Sequence, residues 1–245
     1  MLSKRAMGCA LCLAVGDLKR SHVIPEFLFR ALYDEKNRFH VISTDEAERN
    51  RYRQQGPYEP LLCAVCEQQF SRYERYASLA LSGGIELECQ FDGTAISLSG
   101  LDYRLFRLFQ LSVLWRASVS RLDFFRNVAL GPHEELLRVA LLNEDPGSSH
   151  RYGCIMCALV HAGKVQQDLV LQPTRVRFSG TVGYQFIFGG LVWLYVVSGH
   201  RTKMGIESGF LQEDGRAVIF RRDLGDFKDL IEIGNKLRAQ GKLGN

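Results

Sequence analysis

No segment of this 245-residue chain is apolar for long enough to span a bilayer. The most apolar one, Phe186 to Val197, is broken by Gly189-Gly190 and falls well short of the roughly 18 residues a transmembrane helix needs. An export core is missing too. Lys4 and Arg5 precede a short apolar run, but Gly8, Cys9, Cys12 and Asp17 interrupt it. The expectation is a cytoplasmic protein with no membrane partner. Internal repeats and low-complexity tracts are absent, which argues against a solenoid or a disordered tail. Nor is there a strong excess of one charge: 31 Lys and Arg oppose 27 Asp and Glu, a net of +4. That balance permits a polyanionic partner without demanding one. What is present, 46% hydrophobic and 24% charged residues, is the composition of an ordinary globular chain with one large domain or two small ones.

Cysteine is better supplied. Seven is an odd number, and four of the seven fall in two close pairs, Cys9-x2-Cys12 and Cys63-x2-Cys66. In a reducing compartment such pairs read as metal ligands rather than disulfides. One C-x2-C turn brings two thiolates to the same ion, and two turns complete the tetrahedral shell of a structural zinc. About fifty residues separate the pairs, so a loop must be inserted between them. A third match, Cys154-x2-Cys157 followed by His161, lies in an apolar strand-like run where residues three apart point to opposite faces. It reads as core packing. Cys89 is assigned nothing.

Periodicity supplies the elements. Pro25 opens a helix over Glu26 to Tyr33, and residues 34–60 form a polar inserted loop with one short strand around Phe39, Val41 and Ile42. A second helix from Cys66 to Leu81 carries Phe70, Tyr73, Ala77 and Leu81 on one face. The strongest helix is Leu101 to Val119, with Asp102 in its first turn and Arg104, Arg107, Arg116 and Arg121 on the surface left over by its apolar side. Another runs from Pro132 to about Leu142. After His150 the pattern turns to strands, including VQQDLVLQP, TRVRFSG and GIESGFL, with Gly189-Gly190 as a hairpin signal, and the tail from Asp223 is again helical. The fold class expected is α+β, with residues 1–84 as a zinc module and residues 85–245 as a mixed helix and antiparallel-sheet domain.

The order of motifs in residues 9–80, namely C-x2-C, then Ser21-His22-Val23-Ile24-Pro25, then Leu61-Leu62-Cys63-x2-Cys66 leading into a helix, resembles the zinc-containing branch of the HNH, or ββα-metal, endonucleases. The resemblance implies a treble-clef-like zinc module in which His22 is the general base that activates water, with magnesium or manganese stabilising the phosphate and the leaving oxygen. The chain departs from the pattern in three places. Ser21 stands where an aspartate ligand precedes the base, Pro57, Tyr58 and Glu59 replace an expected asparagine, and Glu67 takes the place of the last His or Asn. A carboxylate suits a hard cation, and Glu74, two turns further along the helix, shares a face with Glu67. The candidate site is thus His22 and Glu67 for catalysis, with Glu67 and Glu74 for the catalytic ion.

Arginines interleaved with tyrosines, Arg51 and Arg53 around Tyr52 and Arg72 and Arg75 beside Tyr73 and Tyr76, suit phosphate pairing and base stacking. Two functions follow. One is a metal-dependent HNH-like endonuclease acting on nucleic acid in a bacterial defence or mobile-element setting, with the C-terminal half choosing substrate or a protein partner. The other is a catalytically inactive zinc module that binds nucleic acid or a protein.

Overall fold

The structure, a computed structural model, describes residues 8–200 and 204–243; Lys4 and Arg5 lie outside the described residues. The chain opens with β1 (Leu18–His22), a seven-residue 3₁₀ helix (Glu26–Leu32), and the short strands β2 (Phe39–Val41) and β3 (Arg51–Arg53). β4 (Tyr58–Cys63) runs directly into α1 (Ala64–Leu81). Then come β5 (Glu88–Phe91), β6 (Ala95–Ser99), α2 (Tyr103–Val119) and α3 (His133–Leu142). The remainder comprises β7 (Cys154–His161), β8 (Lys164–Val165), β9 (Leu171–Phe178), β10 (Thr181–Phe188), β11 (Leu191–Val196), β12 (Ala217–Asp223) and α4 (Lys228–Ala239). The class is α+β. No helix among the described residues is long and apolar enough to cross a membrane.

The main sheet has the order β5-β6-β12-β7-β11-β10-β9, with β8 paired to the end of β7. It is antiparallel except where β12 runs parallel to β7, a crossover that the expectation of a purely antiparallel sheet lacked. Gly189 and Gly190 take φ +62 and +77, the left-handed pair a two-residue hairpin requires, and they join β10 to β11 in the register Phe188↔Leu191. The helix expected after Pro25 is present as a 3₁₀ helix, with Leu28 and Phe29 buried. Two other expectations are corrected. The run GIESGFL is a 3₁₀ turn at Glu207–Gly209 followed by a single bridge from Phe210 to Ile155. VQQDLVLQP and TRVRFSG are not separate strands, since β9 continues through Pro173.

The two faces of the sheet carry different cores. One packs Met156, Phe186, Trp193 and Tyr195 against Phe106 and Phe109 of α2, and this core continues without a break to Phe70, Tyr73, Cys66 and Cys9. Burying Phe106 and Phe109 alone contributes about 2 kcal/mol each. The other face, with Ile155, Cys157 and Ile187, is closed by Leu230 of α4 and by Phe210. Cys154 and Cys157 fall into these two separate cores, the opposite faces that strand geometry demands.

Asp102 caps α2 by accepting the Leu105 N–H at 2.9 Å. Because α2 is enclosed by α1, α3 and the sheet, residues Phe106 through Ala117 are all buried. Arg107 and Arg116, which periodicity places on the helix exterior, are therefore interior residues. The C-terminal segment also touches the inserted loop: Lys242 Nζ donates to the carbonyls of Ser43, Asp45 and Glu48.

Candidate metal centre and the adjoining groove

The first cysteine pair lies in a tight turn closed by Leu13 N–H to the Cys9 carbonyl (2.9 Å) and Cys9 N–H to the Ala14 carbonyl (2.8 Å), with Leu13 in the left-handed region at φ +64. The second pair straddles a strand-to-helix junction: Cys63 ends β4 and caps α1, and Cys66 sits in the first helical turn. Pro60 has no N–H for the ladder, and the β1–β4 register slips where Lys19 pairs with Leu62 and Arg20 with Pro60. Leu61, skipped by that slip, accepts the Ala10 N–H at 3.0 Å, which ties the first turn to the second pair.

All four sulfurs lie within 4.8 Å of one another, and Cys12 Sγ is 3.8 Å from Cys63 Sγ. The thiols are free. A disulfide would need about 2.05 Å, whereas a tetrahedral ion with metal–sulfur bonds of about 2.3 Å places its sulfurs about 3.8 Å apart. The donor set therefore fits a metal ion, and it is the one group of three or more His, Cys, Asp or Glu residues among the described residues close enough to hold one. The backbone N–H of Cys66 directed at the Cys63 sulfur, helped by the neighbouring thiols against burial, brings Cys63 down to about 7. Burial, with the adjacent sulfurs adding to it, pushes Cys66 far the other way. A bound cation supplies the charge that lets such a set ionise together. From the other half of the chain, Arg138 of α3, held by both carboxylate oxygens of Glu135 at 2.7 Å, donates to the Leu11 carbonyl at 2.6 Å.

β1, β4 and α1 also bring the other sequence-selected residues into one neighbourhood. Ser21 is fully buried, and its Oγ donates to Glu67 Oε2 at 2.6 Å. Burial holds the Glu67 carboxyl above its usual range, and Glu74 adds to the shift, while the Ser21 bond, Arg116 and His22 partly offset it. His22, next in β1, places Nε2 3.1 Å from Glu26 Oε2, off the line of a hydrogen bond, with the Tyr58 ring edge-on at 5.8 Å. Glu26 is itself fixed: Oε1 accepts the Tyr33 hydroxyl and Oε2 accepts the Gly56 N–H at 3.1 Å. At position 56 an added Cβ would lie 2.9 Å from the buried Phe29 ring, so a larger residue there requires that ring to move.

Glu74 Oε1 meets Arg116 Nη1 at 2.6 Å, and the same nitrogen donates to the His22 carbonyl at 2.6 Å. The Arg116 side chain is 1% exposed, bonds Ser112 through Nε and Nη2, and lies over the Phe70 ring. Arg116 thus joins Glu74 to the backbone of His22 while Ser21 holds Glu67, and the three side chains do not form a group that could hold a metal ion. Sequence reasoning missed Glu26, Tyr33 and Arg116. None had a clear local signal: the partners of Arg116 lie on β1 and α1, and Glu26 had only its spacing of four from His22.

Of the arginines selected as nucleic-acid contacts, Arg51 and Arg53 are exposed on β3, beside Tyr52, which stacks on His40 and lies under the Arg38 guanidinium. Arg72 is engaged by Glu144, which also takes Arg104. Arg75 lines an open groove of about 340 Å³ between residues 25–30 and the outer face of α1, together with Glu26, Arg30 and Glu74. Compared with protein-family models, curated proteins and solved structures, the chain matches none.

Proposed function

We propose that the four cysteines hold a structural zinc ion in a treble-clef-like module, and that this module hydrolyses phosphodiester bonds in nucleic acid with a divalent cation at Glu67. The observation that carries the reading is the Ser21–Glu67 hydrogen bond, which fastens the end of β1 to α1 and so sets a helix carboxylate beside the histidine that follows Ser21. His22 accepts a proton from the attacking water as the bond from that water to phosphorus forms, and does so through Nδ1, since Nε2 is buried beside Glu26. A magnesium or manganese ion at this place supplies charge for the phosphate and the leaving oxygen. Glu67 is suited to hold it, because a carboxyl that burial and Glu74 make costly to ionise gains from a cation nearby.

One observation favours the inactive reading, a zinc module that only binds nucleic acid or a protein: Glu74 is already paired with Arg116 and Glu67 already accepts the Ser21 hydroxyl. The two readings separate on incubation of the protein with plasmid, single-stranded DNA and RNA in magnesium or manganese. Metal-dependent cutting by the wild type that falls at least 100-fold in His22→Ala, the scale of a lost general base, supports the nuclease. Equal cutting by the variant removes His22 as the base, and no cutting by either supports the inactive module.

A further inference from the structure

The groove beside His22 has a charge pattern of its own. Its floor carries Glu26, 3.1 Å from His22 Nε2, and Glu74, which shares Arg116 with the His22 carbonyl. Its rim carries Arg30 and Arg75, both exposed and on opposite walls, one on the 3₁₀ helix and one on α1. Arg72, one turn before Arg75, is neutralised by Glu144, whereas among the described residues no hydrogen bond or ion pair engages the guanidinium of Arg30 or Arg75. Two exposed arginines lining one groove fit a phosphate. The same walls carry Phe27 and Leu79 as apolar surface and Ser71 as a hydroxyl.

Size limits the occupant. At about 340 Å³ the groove is at the small end of ligand sites. It admits one nucleotide, but the intact body of a double helix cannot enter it; duplex readers instead send a helix or ribbon of their own into the DNA groove. We propose that this groove seats one nucleotide of a single-stranded nucleic acid, its phosphate between Arg30 and Arg75 and its sugar and base on Phe27 and Leu79. The inference rests on the phosphodiester reading for the identity of the polyanion, and it names the strand state of the substrate. The Glu26 carboxylate repels a phosphate unless a cation offsets it, so magnesium is expected to strengthen binding.

The test uses the zinc-loaded 245-residue chain carrying His22→Ala, which silences cutting, in magnesium, with fluorescence anisotropy on labelled single strands of about ten nucleotides, DNA and RNA, and on the matching duplex. Arg30→Ala and Arg75→Ala change exposed side chains and leave the core intact. Each is expected to raise Kd for the single strand at least fivefold and to lower the salt slope by about one, with the duplex bound more weakly than either single strand. Affinity unchanged in both variants, or a duplex bound as tightly as the single strands, overturns the proposal. Arginine-dependent binding without cutting by the wild type would retain the groove and remove the nuclease; cutting with arginine-independent binding would do the reverse.

Discussion

Glu67 is the residue whose chemistry is least at rest. Folding holds its carboxyl above the usual range through burial, so in the pH interval just above the unfolded value the native state keeps a proton that the unfolded chain has released. Stability contributed around this group is therefore lost as pH rises through that interval and stays lost above it. Glu67→Gln is expected to be more stable than wild type at pH 8, with the gap closing toward pH 4, as read by urea denaturation. A gap that widens on acidification would contradict the assignment. Arg116 has the opposite character, a buried cation whose removal leaves Glu74 and the His22 carbonyl without their donor. Arg116→Met is expected to cost about 3–5 kcal/mol. Adding Glu74→Gln to that variant should cost little more, and additive losses in the double variant would show that the pair is not coupled.

At the scale of elements, the cysteine centre is a junction between a turn, a strand end and a helix start, and it depends on its ion. Elemental analysis should find one zinc per chain, and Cys63→Ser should lose it. The same change should lower the melting midpoint by about 10 °C, corresponding to about 3 kcal/mol in a chain of this size. An unchanged midpoint in the variant would remove the structural role. The centre was legible in the sequence because each C-x2-C pair is local and its spacing carries the geometry. β4 was not, since Tyr58, Glu59 and Pro60 read as loop, and their strand conformation comes from pairing with β1, about forty residues earlier. The same limit hid Arg116. Its partners are His22 and Glu74, and periodicity along one helix cannot show that three surrounding layers leave no solvent face. The β7–β12 parallel pairing was hidden for a further reason, because strand patterns carry no sign of direction.

For the whole molecule, the change of element content near residue 84 does not coincide with a gap in packing. Phe70 of α1 meets Trp115 of α2 ring edge to face at 6.1 Å, and a single core runs from Cys9 to Ala217. A fragment of residues 1–84 would expose Phe70, Tyr73 and Ala77, all buried in the full chain. It is expected to lack a cooperative melt by circular dichroism even with zinc, while the full chain unfolds in one transition; a cooperative, zinc-loaded fragment would show the module to be autonomous.

The separation of the two cysteine pairs, 51 positions between Cys12 and Cys63, bears on what the chain can tolerate as it changes over generations. Closing a loop costs free energy that grows only with the logarithm of its length, about 0.6 kcal/mol for each doubling. Once an ion joins the two ends, the part of that stretch with no buried residue, 40–55, can lengthen, shorten or exchange its sequence at small thermodynamic cost, provided β1, the 3₁₀ helix and β4 keep their buried contacts. The centre is in that sense a fixed clip on a replaceable segment, and the replaceable segment is the one that displays Arg51, Tyr52 and Arg53 to solvent.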